Sequence, residues 1–279
     1  HASKVQKHEA ALARCEKDQR TNFVETNELA GLIKFANGSS APGHRVTVTA
    51  AGASTRIVLS MLLDADATDS GKLVASLQAA RDALIAAGSS APFLQAAADA
   101  GYFSQRDLVA ATQARDWLDV IVAPKTTDAR APGKYFGRDR FEIPLDAPPR
   151  CPAGREMAGP HVRKDDGAQE WSGVGCAACP LRSDCTPSKR VRRLTVIREI
   201  EEMRRRFNDP LVKERYNRRI ATLETVVSSL VDAMRFKRAS SRHALTIRAE
   251  LLLKLLAHNV SRLLAARRLR LVHLVVDLF

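Results

Sequence analysis

No apolar run in the chain is long enough to span a bilayer, and the opening residues, HASKVQKHEA, lack the apolar region of a signal peptide. Both absences lead us to expect a soluble intracellular protein with no membrane partner. Five cysteines in such a protein argue against a disulfide framework. No internal repeat is visible. Acidic charge is scarce in one region only. From Thr186 to Phe279 there are 22 Lys and Arg against 9 Asp and Glu, which leaves 22 of each sign for residues 1–185. The whole net charge of +13 therefore lies in the C-terminal third. A basic segment beside a neutral one points to a polyanion, most often nucleic acid. A solvated, Arg-rich helical surface is the other reading of that composition.

The 279 residues suffice for one large core or two modest ones. Residues 1–20 read as a polar helix, and residues 21–43 as a loop with turn signals at Asn37-Gly38 and Pro42-Gly43. Alternation of Val46 and Val48 with Thr47 and Thr49 predicts a strand over 44–49. The apolar run Ile57 to Leu63 predicts its hairpin partner. Helical spacing of Leu73, Leu77 and Leu84, closed by Gly88, predicts a helix over 70–87. A strand over 93–99, a helix over 104–113 and a strand over 118–123 follow, giving the order β-β-α-β-α-β. Gly- and Pro-rich sequence from Pro124 to Pro149 marks a boundary. The spacing predicts helices over about 194–207, 215–237 and 243–268. The final apolar residues, from Leu269, must pack somewhere.

Three groups of residues carry candidate chemistry. The segment FLQAAADAGY, Phe93 to Tyr102, is a buried strand that delivers Asp99 to its C-terminal tip, where open α/β sheets place their chemistry. By itself an Asp just before Gly101 reads first as a turn residue. The second group is Cys151, Cys176, Cys179 and Cys185, which supply four thiolates from two loops. A C-x-x-C turn sets two soft ligands at the separation tetrahedral Zn²⁺ wants, and four thiols leave no open coordination position, so such a zinc would be structural. Reduced, unmetallated thiols are the other reading. The third group is YNRRIATLETVVSSL, with Tyr216, Arg219 and Glu224. There Leu223, Val227, Leu230 and Met234 form an apolar stripe with Glu224 on its flank. A surface acid pairing with a neighbouring Arg is the bland alternative for Glu224.

Taken in order, ADAGYFSQRDL, the CPAGR opening, C-x-x-C-P-x-R-x-x-C, Tyr-x-x-Arg-x-x-x-x-Glu and AHNVSRL resemble a DDE-type insertion-sequence transposase, of the branch with a cysteine-bearing insert before the last catalytic Glu. The resemblance runs from about Asn22 to about Leu264. It implies an α/β (α+β) fold: an RNase H-like mixed sheet flanked by helices and lacking its first strand, plus a cysteine-rich insert and a helical C-terminal part. The matching organisation is an N-terminal helix and loop over 1–43, a core portion over 44–149, the cysteine-rich insert over 150–190, and a basic helical region completing the core over 191–279.

By the same resemblance Asp99 and Glu224 are the second and third of three carboxylates. Together these hold two divalent ions, Mg²⁺ or Mn²⁺, for phosphodiester transfer. Arg192, Arg193, Arg204, Arg205, Arg206, Tyr216, Arg218 and Arg219 are the expected DNA-binding residues. The implied partners are insertion-sequence ends, target DNA and further copies of the chain, and the implied setting is the bacterial cytoplasm, at the nucleoid.

The departures count as well. The family's first carboxylate sits in a D-G-T stretch shortly before an alanine-serine motif such as Ala2-Ser3, so it falls ahead of His1. Thr26-Asn27-Glu28 stands where T-D-P is usual, Val227-Ser228 where Phe-Gly is usual, and Val231 where a Lys is usual. Arg219 lies five residues before Glu224, which suggests that the helix starts or breaks near Ile220 to Thr222. Two expectations result: a transposase that cuts and joins DNA, or a catalytically inactive, truncated remnant that binds DNA through its basic helices. A zinc-stabilised interaction module unrelated to DNA is a third class. Without its first strand the sheet loses a central hydrogen-bonding partner, a gap the segment from Leu269 is a candidate to fill.

Overall fold

A computed structural model describes residues 2–17, 24, 30–34, 38–64, 68–90, 92–125, 135–187, 190–236, 239–241 and 243–268. Thr26-Asn27-Glu28 and the tail from Leu269 lie outside the described residues.

The architecture is mixed α/β, consistent with the expected RNase H-like class, but its strands form four small sheets instead of one. Helix α1 (Ala2–Lys17) is followed by a hairpin of β1 (Gly31–Lys34) and β2 (Ser40–Gly43), where a loop was expected. Gly38, at φ 84°, supplies the left-handed residue of the turn between them. The expected second hairpin is present as β3 (Arg45–Ala51) and β4 (Ile57–Asp64), antiparallel, with a register shift at Thr49/Ala50.

Helix α2 (Leu73–Ala86) then leads to β5 (Leu94–Ala98), α3 (Gln105–Gln113) and β6 (Leu118–Val122). β5 and β6 pair in parallel, as strands joined by a helical crossover do. α2 and α3 bury Leu73, Leu77, Leu84 and Leu108 against Leu94, Ala98, Leu118, Val120 and Val122, the first core. α2 also packs on β3 and β4, and the Tyr102 hydroxyl lies 3.3 Å from Thr47 Oγ1. The β3–β4 and β5–β6 pairs are thus neighbours without being hydrogen-bonded into one sheet.

Residues 150–190, expected to be irregular, contain most of a three-stranded antiparallel sheet. Its strands are β7 (Ala158–Val162), β8 (Gln169–Ser172) and β9 (Arg193–Val196), the last where a helix was expected to begin. Phe141, Met157, Trp171, Leu194 and Val196 form its own core, with Cys151 and Cys185 packed against it. The short helix α4 (Arg182–Cys185) lies between β8 and β9.

Helix α5 (Arg198–Asn208) and helix α6 (Pro210–Ser228) follow. Asp209 separates them: its carboxylate accepts the Leu211 N–H at 2.9 Å, and Pro210 takes the first helical position, where its missing N–H costs nothing. A π-helical turn over Ser229–Ala233 ends α6. Helix α7 (Ala244–Arg268) closes the described chain. It buries Leu251 and Leu255 with Val58, Val226 and Leu230, the second core, and leaves Leu245, Leu253, Leu256 and Leu264 exposed. No helix among the described residues is long and apolar enough to cross a membrane.

Candidate functional site

Asp99 stands where the sequence placed it, directly after β5 at its C-terminal tip. Its carboxylate accepts the Ala100 N–H at 2.7 Å and caps a 3-10 turn over Ala100–Tyr102. The side chain is 69 % exposed. The group of α6 within ion-pair reach is Arg219, whose guanidinium lies 3.9 Å from Asp99. Arg219 is held in turn by Tyr216: it lies 4.7 Å over the phenol ring and donates to the hydroxyl at 2.8 Å. Tyr216 stacks edge-on against Phe207 of α5, with centroids 5.1 Å apart. Burial pushes the Tyr216 phenol up, with Arg219 opposing and the Asp99 charge adding to it. A second carboxylate, Asp69, approaches this strand end. A Cβ at Gly101 would come within 2.9 Å of its Oδ2, and Arg45 pairs with it at 2.9 Å. Each acid at this end of β5 is thus answered by an arginine.

Glu224 lies on the same helix as Arg219 but not on the same face. α6 runs unbroken through Ile220 to Thr222, correcting the expected break. Five residues along a continuous helix turn a side chain by about 140° from its starting direction. With Arg219 turned toward β5, Glu224 is exposed. The buried face of α6 carries Tyr216 and Val226, whereas Val227, expected on the apolar stripe, is exposed. No group of three or more His, Cys, Asp or Glu side chains among the described residues is arranged to hold a metal ion. Asp99 and Glu224 as they stand do not fit a magnesium ion.

Most of the expected DNA-binding arginines are engaged inside the protein. Arg206 pairs with Asp119 of β6 and donates to the Val120 carbonyl; Arg215 donates to the other Asp119 oxygen at 2.7 Å. Arg204 lies 5.2 Å over the Phe103 ring. Arg192 reaches the Cys185 and Phe136 carbonyls and lies over Phe141, and Tyr216 is buried. Arg193, Arg205 and Arg218 are exposed. Of these, Arg205 donates to the Ile143 carbonyl at 2.9 Å and Arg218 pairs with Glu214 at 2.8 Å. Asp119 escaped sequence reasoning, although a lone acid inside the apolar strand LDVIV had to find partners.

Residues 150–264 match a family model described as a transposase DDE domain. This stretch is similar to the DDE domain of transposases. Comparison with curated proteins and with solved structures gave no match. The DDE-transposase match begins one residue before Cys151 and takes in Glu224 and AHNVSRL, while Asp99 precedes it.

The AHNVSRL segment acquires a structural role. The Asn259 side chain donates to the Val58 carbonyl and accepts the Val58 N–H, both at 2.8 Å. It thereby pairs with β4 as a neighbouring strand would. Arg262 donates to the Thr55 and Ser54 carbonyls at 2.9 and 2.7 Å. The buried His258 bridges the Arg56 carbonyl, through Nε2 at 2.9 Å, and the Ser229 hydroxyl, through Nδ1 at 3.0 Å. Three polar residues of α7 thus fasten it to the β3–β4 hairpin.

Asp119 gives the clamp of α5 and α6 on β6 an acid limit. Burial alone would raise its carboxyl, but hydrogen bonds from Arg215 and Arg206 outweigh burial and hold it below the ordinary carboxylate range. A group depressed in this way stabilises the fold above its unfolded pKa, about 3.9 for Asp, and that contribution is lost as pH falls through the folded value. Urea melts across a pH series should show full stability near neutrality and a decline below about pH 4 that Asp119→Asn reduces. An unchanged acid limb in the variant would remove Asp119 from this role.

Proposed function

We propose that the chain acts on DNA as part of a DDE-type transposase, cutting and joining phosphodiesters at insertion-sequence ends, with Asp99 and Glu224 as two of its carboxylates. The observation that carries this reading is Asp99: a solvent-open carboxylate at the tip of a parallel strand, facing the helix that bears Tyr216 and Arg219. A divalent ion, Mg²⁺ or Mn²⁺, would there supply Lewis-acid stabilisation of the phosphodiester oxygens. Its site would require a third carboxylate and a turn of α6 that exchanges Arg219 for Glu224 opposite Asp99. Displaced from Asp99, the Arg219 guanidinium becomes a donor for a DNA phosphate. Arg193, Arg205 and Arg218 form the exposed part of the phosphate-binding set. Assembly of several copies on paired ends, at the bacterial nucleoid, belongs to the same reading.

The alternative, DNA binding without strand transfer, draws on the ion pair between Asp99 and Arg219, which occupies the carboxylate a metal would need. Nicking of DNA bearing the cognate ends, assayed with Mg²⁺ or Mn²⁺, separates the two. Metal-dependent nicking abolished by Asp99→Ala is the expected result. DNA binding that weakens steeply with salt, with no nicking under any metal, would favour the alternative. Failure to bind DNA at all would refute both.

A further inference from the structure

We infer that Cys151, Cys176, Cys179 and Cys185 together hold one zinc ion, and that this ion fixes the small sheet β7–β8–β9 on its own core. The inference is independent of whether the chain cuts DNA.

The four side chains come from two stretches of chain, Cys151 from one and Cys176, Cys179 and Cys185 from the other, and line one cavity of about 20 Å³. That is about the room one water-sized particle takes, the scale of a single ion. The backbone around the thiols has tight-turn geometry. The Gly154 N–H returns to the Cys151 carbonyl at 2.8 Å, and the Cys179 N–H to the Cys176 carbonyl at 3.3 Å. Gly154 and Gly175 have φ of 74° and 65°, which a residue with a Cβ rarely adopts. At Gly173 a Cβ would stand 2.6 Å from Cys176 Sγ, so the chain passes this thiol at a distance only glycine permits.

Charge and chemistry agree with the geometry. A zinc ion with four thiolates carries two net negative charges, and three arginines, Arg155, Arg182 and Arg192, line the same cavity. All five cysteines of the chain are unbridged. Soft thiolates select zinc over the hard cations. Burial pushes the Cys185 thiol up; Arg192 opposes this, and the other three thiols of the group add to it.

The thiols stand around the cavity and are not yet gathered on one centre. Loading must draw them inward until each sulfur lies about 2.3 Å from the metal. The need for such a staple follows from the size of the unit. Its core is five buried residues, with Cys151 and Cys185 against it, and cores this small usually require a metal or a disulfide. The ion also acts at a distance. β9 runs directly into α5, and Arg138 of the unit joins the Thr195 carbonyl to the buried Glu201 of α5. Fixing the sheet therefore positions the helix whose Arg206 holds β6.

The test uses the full chain, produced with zinc in the medium and analysed for metal. We expect about one equivalent of zinc per chain. Cobalt substitution should show a thiolate-to-metal charge-transfer band of the strength four sulfurs give and the visible bands of a tetrahedral site. Cys151→Ser and Cys179→Ser should each lose most of the metal, while Cys15→Ser, on α1, keeps it. Because a serine variant of the unit may unfold, the cobalt spectrum of the unmutated chain counts the sulfurs independently. Chelation should speed hydrogen exchange in β7–β9 while leaving β5–β6 protected. Metal-free protein from zinc-replete medium, a cobalt spectrum without a thiolate band, or full zinc retention in either unit variant would overturn the proposal.

Discussion

Leu251→Ala is expected to destabilise the protein by about 3–5 kcal/mol, the upper part of the range for large-to-small core substitutions. Leu251 is 0 % exposed and touches the second core from α7, with Val58, Val226, Leu230 and Leu255 around it. The cost of such a truncation depends on how far the surroundings collapse into the vacated space. Here collapse is resisted, because Asn259, Arg262 and His258 hold α7 to β4 and the preceding loop through hydrogen bonds of fixed length. Against a typical stability of about 5–15 kcal/mol the loss is large. Chemical denaturation should shift accordingly, and hydrogen exchange should accelerate first in the β3–β4 hairpin. A loss under about 1 kcal/mol would mean that α7 is not seated on the hairpin as described.

Asp107→Ala should cost about 2–4 kcal/mol, through polar groups left without partners. Its carboxylate, 1 % exposed, accepts from the Gly71 and Leu73 N–H groups at 2.8 and 3.1 Å and from the Ser104 hydroxyl at 2.7 Å. Ser104 caps α3 and accepts the Asp107 N–H. The first residue before α2, Lys72, makes no side-chain cap, so a carboxylate from α3 serves the start of α2 as well. One side chain therefore satisfies the start of α2 and holds the Ser104 hydroxyl that caps α3, and removing it orphans the Gly71 and Leu73 N–H groups, of the kind that a helix start must satisfy. Asp107→Asn should cost less, since the amide oxygen still accepts. Thermal and urea melts of the two variants test the ordering. Equal stability of Asp107→Ala and the unmutated chain would remove the double cap.

The parts legible in the sequence were those in which apolar residues alternate with polar ones, run together or recur at helical spacing. Val46 and Val48 alternating with Thr47 and Thr49 in β3, and the apolar run of β4, announced their hairpin, although Thr47 is the residue of β3 that is buried; the strand before Asp99 was readable from its short apolar run, whose Leu94 and Ala98 are buried. β7 left no signal because all five of its residues are exposed, and β9 is too short for its Leu194 and Val196 to be told from a helix start. The start of α6 was marked by Asp209-Pro210, a cap followed by a first-turn proline, and deserved more weight than the spacing of leucines.

The site was legible only in part. A strand tip can be read locally, but the partners of the basic helices cannot. Asp119 lies 87 and 96 residues from Arg206 and Arg215, so Arg206 looked free for DNA although its charge is neutralised within the fold. The face of α6 had the same difficulty. Its rotation is set by Tyr216 and Arg219 packing toward β5, which leaves Glu224 exposed and away from Asp99, a geometry that no spacing along one helix reveals.

Asn259 has one more consequence. By occupying both backbone groups of Val58 it plugs the outer side of β4, and Arg206 and Met203 do the same for β6 at the Val120 carbonyl and the Val122 N–H. A plugged border cannot recruit another strand. Among the described residues this turns the free pairing side of both strand pairs toward β3 and β5, the strands that the contact between Tyr102, just past β5, and Thr47 of β3 brings near each other. A single extended segment entering there would be grasped from both sides, and the two separate ribbons would become one continuous sheet.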